Sequence, residues 1–395
     1  MAKIAILDRR CTGCGLCAEN CPFGAIDMQG GRPELNAACK VCGLCVKACP
    51  EKAVLKLETR VDSVDKSKWN DILVLAEVSG GRLHPVSLEL IGKARELAKA
   101  VDYKVKALLI GHGILDFAEE LRHYGVQEIA VYDDPELAYF RADAWAACAE
   151  DYIRFARPSV VLVGATSLGR SLAPRLSTRF HTGLTADCTR LELRENTDLV
   201  QIRPAFGGNI MAQIITTNTR PQFATVRYKV MNAPARQEEA AGAVLIRRIP
   251  RGVADSPASC VSVTPVPPRK SISDAEVLVV GGRGLRKEAD LDMIRELAAL
   301  LGGDWATTRP LVEKGWNTND RQIGLSGRTV RPRLIITCGV SGAIQFTACM
   351  KDSDHIVAIN SDPNAPIFDV AHIAVVGDLY DIVPALIRRI REGRA

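Results

Sequence analysis

Between Cys11 and Cys49 the chain repeats one spacing twice. The first run is Cys11-x2-Cys14-x2-Cys17-x3-Cys21-Pro22 and the second is Cys39-x2-Cys42-x2-Cys45-x3-Cys49-Pro50. Soft thiolates at tetrahedral spacing suit iron–sulfur clusters. Three cysteines in tight succession wrap three corners of a cube, and the fourth, set before a proline, serves the other cluster when there are two. Cys11, Cys14, Cys17 and Cys49 are therefore assigned to one [4Fe–4S] cluster, and Cys39, Cys42, Cys45 and Cys21 to a second. Gly13, Gly15 and Gly43 lie inside the loops, where a missing Cβ lets backbone N–H groups approach the sulfides. The competing reading, a pair of zinc sites, calls for paired Cys-x2-Cys motifs instead of this run.

Residues 1–60 resemble bacterial two-cluster ferredoxins along their whole length. The stretch holds nine Lys and Arg against six Asp and Glu, so its protein part is less acidic than free ferredoxins tend to be. Such a module is suited to docking on its own protein or to meeting an acidic soluble ferredoxin. Of the 13 cysteines, Cys148, Cys188, Cys260, Cys338 and Cys349 lie outside the motif and read as buried small hydrophobes. A disulfide framework does not fit metal-ligand spacing. The net charge of +5 over 395 residues comes without a block of like charge, which gives no footing for nucleic acid. No apolar run would span a bilayer, so no transmembrane segment is expected. The first residues lack an apolar signal region and a cleavage site, which points to a cytoplasmic protein.

The rest of the chain reads as α/β. After the cluster module (1–60), residues 66–255 alternate apolar runs (Asp71–Val78, Val105–Gly111, Glu128–Tyr132, Ser159–Gly164) with helical stretches. One such stretch, Leu88–Leu97, places Leu88, Ile91, Ala94 and Leu97 on one face. This predicts a Rossmann-like parallel sheet covered by helices. The short runs Val200–Ile202, Ala212–Thr216, Gln222–Arg227 and Val244–Arg248 are expected to form an antiparallel elaboration of the same domain. A Pro-rich linker (256–271, with Pro257, Pro265, Pro267 and Pro268) leads to a C-terminal parallel α/β domain, 272–395. There, the strands Glu276–Val280, Arg333–Gly339, His355–Ile359 and Ile373–Val376 each end in a small or polar motif before a helix. If they are parallel, all four motifs meet at one sheet edge, the place where open α/β sheets bind ligands. The domain thus reads as one for a nucleotide cofactor.

Ser341-Gly342-Ala343-Ile344-Gln345, Ile356–Asn360, Asp362–Phe368 and Asp378-Leu379, with Arg321–Gly327 and Gly281–Leu285 upstream and Arg203–Asn209 in the middle domain, resemble the signature of electron-transfer flavoprotein α subunits. The resemblance implies one FAD in the C-terminal domain. It implies Arg283 at the phosphates, where a guanidinium fork matches a pyrophosphate. Thr308 and Arg309 match a Ser-Arg pair, with the arginine over the flavin ring. Ser326 matches a threonine at the flavin N5, in one loop with Gln322, Ile323, Gly324 and Leu325. Ser341, Gly342, Ala343, Ile344 and Gln345 fall beside the ribityl and phosphate groups, and Asn360, Asp378 and Leu379 at the adenosine end. Asn360 and Asp378 have a purely structural alternative as helix caps.

Two positions depart from the family pattern. Phe346 stands where the family has a histidine near the flavin C2 carbonyl, and Leu325 where it has a glutamine. Phenylalanine donates no hydrogen bond, so an anionic flavin loses a stabiliser at that edge. The resemblance also implies partners: a β subunit carrying FAD or AMP and an NADH site, docked largely on the middle domain, and an FAD-dependent dehydrogenase acting on an acyl-CoA or a hydroxy acid. The N-terminal cluster module resembles the fused form found in electron-bifurcating complexes, which adds soluble ferredoxin as a low-potential acceptor. The alternative is a non-bifurcating carrier in which the clusters only relay electrons into the FAD pool. No side chain stands out as a catalytic acid, base or nucleophile.

Overall fold

The computed structural model describes residues 2–58, 63–205, 210–251, 253, 256–264 and 271–393. The chain separates into two compact units, Met1–Val64 and Asp65–Ala395. In the first, β1 (Ala2–Ile6) pairs antiparallel with β4 (Val54–Glu58), and β2 (Ile26–Gln29) with β3 (Arg32–Leu35). Each cysteine loop runs into a short helix, α1 (Leu16–Glu19) or α2 (Leu44–Ala48). The residues that enter these helices, Gly15 and Gly43, share φ values of 79° and 81°, so the repeated motif folds the same way twice. The apolar core is small: Ile4, Ile26 and Val54 pack with the cysteines themselves, including Cys17 and Cys45. A core of this size holds a fold only when cross-linked by something else, and here the cysteines are the available staples.

The second unit contains two parallel sheets. The larger has the order β11-β15-β10-β5-β8-β9-β16, with β5 Ile72–Leu75, β8 Val105–Gly111, β9 Glu128–Asp133, β10 Val160–Gly164, β11 Leu184–Cys188, β15 Gln222–Val226 and β16 Ala243–Ile246. Side chains of β5 alternate between faces, Ile72 and Val74 packing on α3 (Pro85–Ala98) and α4 (Leu115–Leu121), Leu73 and Leu75 on α5 (Ala142–Ala156) and α6 (Ser167–Arg179). A small hairpin, β6 (Val78–Ser79) and β7 (Arg82–Leu83), follows β5. An antiparallel meander, β12 (Arg190–Leu193), β13 (Leu199–Ala205) and β14 (Ile210–Ile215), adjoins the sheet.

The antiparallel expectation for 222–227 and 244–248 is corrected here. β15 inserts between β10 and β11 and runs parallel to both, with all five residues buried, and β16 extends the other edge parallel to β9. A short, continuously buried run such as Gln222–Val226 is what a central parallel strand requires. Within the linker region, residues 256–264 have neither helix nor strand, and 265–270 lie outside the described residues. So do Phe206–Asn209 of the family-like stretch in the middle domain.

The smaller sheet has the order β19-β18-β17-β20-β21-β22, parallel throughout. Its strands are β17 Val277–Gly281, β18 Asp304–Thr308, β19 Gln322–Ile323, β20 Leu334–Cys338, β21 His355–Asn360 and β22 Ile373–Val376. One face packs on α7 (Leu291–Leu300) and α10 (Leu379–Glu392), the other on α9 (Ile344–Thr347) and loops, while α8 (Arg309–Glu313) follows β18. The four expected strands are present. β18 and β19 come in addition, and their mixed polar sequences carry no period-2 pattern that would have disclosed them.

Candidate functional site

The two cysteine sets lie in two separate cavities of the first unit. Cys11, Cys14, Cys17 and Cys49 line one, together with Gly13 and Gly15. Cys21, Cys39, Cys42 and Cys45 line the other. Each motif thus sends its last cysteine to its neighbour's cavity. Among the described residues, no three His, Cys, Asp or Glu side chains close on a point fit for a single metal ion. The sulfurs ring a space instead. Backbone N–H groups of Ala25 and Ala53 donate to Cys21 Sγ and Cys49 Sγ, both at 3.3 Å. Such bonds favour charged sulfur. Gly13 has φ +75°, and a Cβ there would stand 2.3 Å from the carbonyl oxygen of Gly31, so only glycine fits. Burial pushes the Cys17 and Cys45 thiols up, with smaller repulsion from the neighbouring cysteines. Cationic iron is the kind of ligand that offsets both effects.

Cys260 departs from the expectation of burial. Cys148, Cys188, Cys338 and Cys349 are buried, but Cys260 lies in the exposed segment after β16. Its place within the Pro-rich linker 256–271 is the sequence signal that sets it apart from the other four.

In the second unit, the candidate cofactor residues gather at the C-terminal edge of the smaller sheet. Arg283 is exposed in the turn after β17, and that turn is laced to the next one: Gly282 N and Gly284 N donate to the carbonyls of Cys338 and Gly339, both at 2.9 Å. Leu379 packs beneath Gly284 and Gly339. Thr308 ends β18 nearly buried, and Arg309 begins α8 with an exposed guanidinium paired to Glu313 at 2.8 Å. Gln322 and Ile323 are buried in β19, and Gln322 Nε2 donates to Ser326 Oγ at 2.8 Å, fixing the hydroxyl's position. Leu325 N donates to Gln345 O at 3.0 Å, which ties this loop to α9.

Ser341 is exposed after β20, and Gly342 takes φ +87°, with a Cβ there falling 2.0 Å from Ile367 N. Ala343, Ile344 and Gln345 are exposed along the turn into α9, whereas Phe346 points into the core, 5% exposed, beside Ile323, Val340 and Ile367, with Leu325 packed against the same cluster. Asn360 does not cap a helix. Its Nδ2 donates to Val340 O at 2.8 Å and its Oδ1 accepts from Asp362 N at 3.0 Å, holding two strand ends together. Asp378 does cap α10, accepting from Tyr380 N at 2.9 Å, and it also pairs with Arg286 at 3.2 Å. The edge therefore offers exposed guanidinium, hydroxyl and amide groups over glycine turns that admit no Cβ, a fit for an anionic dinucleotide.

At the matching edge of the larger sheet, Thr166 caps the N-terminus of α6. Its Oγ1 accepts from Gly169 N at 3.0 Å and donates to Glu77 at 2.6 Å. A carboxylate already faces the positive end of this helix. Arg170 pairs with Asp187 at 3.2 Å and so has a structural partner. Arg227, which the motif reading passed over, donates both to Asp187 and to the carbonyl of Leu325. Its only sequence signal is a charge set directly after a buried strand.

Fold and site together define a flavin-binding electron-transfer chain with an iron–sulfur module. Residues 10–54 match the 4Fe-4S dicluster domain, 72–249 the electron transfer flavoprotein domain and 271–351 the electron transfer flavoprotein FAD-binding domain. The chain is 52% identical over 373 residues to the lactate dehydrogenase (NAD(+),ferredoxin) subunit LctC of Acetobacterium woodii, covering 94% of this chain and 89% of that one. It is 41% identical over 325 residues to the electron transfer flavoprotein subunit alpha of Thermoanaerobacterium thermosaccharolyticum (82% and 98% covered). It is 40% identical over 330 residues to protein FixB of Azorhizobium caulinodans (82% and 89%). The chain belongs to the electron transfer flavoprotein α-subunit family, in a form that carries an N-terminal 4Fe-4S dicluster domain. Its cofactors are FAD and [4Fe–4S] clusters. Among the described residues, no helix is long and apolar enough to cross a membrane.

Proposed function

We propose that this chain is the α-type subunit of a complex that splits electron pairs between a high-potential and a low-potential path, coupling NADH, ferredoxin and a dehydrogenase of the hydroxy-acid type. The observation that carries the reading is the joining, in one chain, of two four-cysteine cavities to an FAD-binding sheet edge. The name of the LctC relative, which speaks of lactate, NAD(+) and ferredoxin, supports the hydroxy-acid class over the acyl-CoA class. When bound, FAD exchanges electrons one or two at a time and each cluster carries one.

The chain's own residues then have assignable tasks. Arg283 and the backbone of Ser341–Gln345 hold the phosphates. Ser326, steadied by Gln322, is the hydroxyl that follows protonation at the flavin N5. Arg309 supplies positive charge, and Asn360 and Asp378 shape the adenosine end. Cys11, Cys14, Cys17 and Cys49 ligate one cluster, and Cys39, Cys42, Cys45 and Cys21 the other. A β subunit with FAD or AMP docks on the middle domain and admits NADH. The Pro-rich linker 256–271 serves as the tether between the middle and FAD-binding domains.

The test is anaerobic co-expression with the β partner, followed by flavin, iron and sulfide analysis and an NADH-dependent ferredoxin-reduction assay. Two FAD, about eight iron and ferredoxin reduction only in the presence of a high-potential acceptor support the reading. One FAD with AMP, and no ferredoxin reduction under any condition, leaves a simple carrier with a cluster relay.

A further inference from the structure

Within the second unit, one short segment of the middle domain makes hydrogen bonds to the C-terminal domain. Directly after β15, Arg227 Nη2 donates to Leu325 O at 2.8 Å, Tyr228 Oη to Asp274 at 3.3 Å, and Asn232 Oδ1 accepts from Arg331 at 2.7 Å. The segment is itself pinned to α3, where both Glu89 carboxylate oxygens accept from Lys229 N at 3.0 and 3.1 Å. Gly92 on that helix leaves room for Asn232 O, which would lie 2.1 Å from a Cβ. The segment therefore presents Arg227 from a rigid base.

Leu325 is gripped on both sides. Its N–H goes to Gln345 O within the C-terminal domain and its carbonyl receives Arg227 from the middle domain. Ser326 follows immediately. Arg227 is mostly buried, 19% exposed at the side chain, and its Nε and Nη1 have no acceptor among the described residues. Its counter-ion Asp187 is shared with Arg170, so two guanidinium groups face one carboxylate. A net positive charge is thus set against the carbonyl of the cofactor loop.

We propose that Arg227 is a positioning residue: from the middle domain it holds the cofactor loop Gln322–Ser326 of the C-terminal domain in its FAD-binding shape. This rests on the FAD reading of that edge. It follows that the loop is fully formed only while the two domains are seated as described here, so domain placement and flavin properties are linked through one guanidinium.

The experiment uses the full chain purified with FAD. For Arg227→Leu, the expected result is FAD binding weakened about tenfold or more, the scale of one lost charge-assisted hydrogen bond. The flavin midpoint potential should also shift, because Ser326 directly follows the carbonyl that Arg227 holds. Arg227→Lys should restore part of both. Arg331→Ala, which removes the bond to Asn232 and a second to the carbonyl of Asp352 but none to Gln322–Ser326, should change neither. A loss of folding alone would not shift the potential of the flavin that stays bound. FAD affinity within twofold of wild type together with an unmoved potential in Arg227→Leu overturns the proposal. If that variant does not fold, Arg227→Gln is read by the same two criteria. A wild-type chain that takes up no FAD would refute the cofactor reading, a result distinct from FAD-loaded protein in which Arg227 variants are silent.

Discussion

The crossing of the two cysteine motifs makes a sharp prediction about pairs of substitutions. Cys21 belongs by sequence to the first motif, yet it lines the cavity of Cys39, Cys42 and Cys45. Each cavity holds four thiols, and each full cluster holds about four iron. Cys21→Ala should therefore damage the second cluster, and Cys42→Ala the same one. The double variant Cys21→Ala with Cys42→Ala should lose no more than about four iron, because both changes act on one site. Cys21→Ala with Cys14→Ala should lose up to about eight, because they act on two. If single variants keep a partly built cluster, the same contrast persists as non-additivity within a cavity and additivity across cavities. The assay is iron and sulfide content per chain in anaerobically purified protein, with electron paramagnetic resonance of the reduced state as a second readout. Reversed behaviour, with Cys21 coupled to Cys14 and independent of Cys42, would refute the crossed assignment and the ring of ligands drawn from it.

Other predictions follow from single sites. Gly342→Ala places a side chain at φ +87° and 2.0 Å from Ile367 N. It should cost roughly 2 kcal/mol or more and lower the FAD-to-protein ratio, read by thermal melting and absorbance. Phe346→His buries an imidazole among Ile323, Val340 and Ile367, where the phenyl ring is 5% exposed. It should lower the melting temperature through lost packing and the cost of burying a polar ring, and an unchanged melt would count against the core placement. Glu89 is 6% exposed, and burial pushes its carboxyl up to about 7, against backbone N–H groups of Lys229, Met231 and Val230 that favour the charged form. The folded chain therefore binds a proton there that the unfolded chain releases near 4.5. This contribution to stability is present at low pH and falls as pH rises from about 4.5 to 7, by at most about 1.4 kcal/mol per unit. Denaturant melts of Glu89→Gln should show that slope flattened, and an identical slope would assign it to other groups.

The chain's sequence alone determined what short-range chemistry can encode. Cysteine spacing is local, and so are the glycines at left-handed turns and the small or polar motifs that end each strand of the C-terminal sheet. Those features were legible because each works within a few residues of itself, and family resemblance then named the flavin. Only tertiary structure decided what depends on distant partners. Gln222–Val226 carries no mark that it inserts between two earlier strands, since a fully buried run suits many neighbours. Asp304–Thr308 and Gln322–Ile323 become strands because a parallel neighbour supplies their hydrogen bonds, each being too short and too mixed in polarity to show a period of its own. Arg227 reads as an ordinary charge after a strand until the fold brings Leu325 to it across 98 positions of chain. Hydrophobic burial chooses the sheet order, and the sheet order in turn places the groups that meet at the cofactor edge.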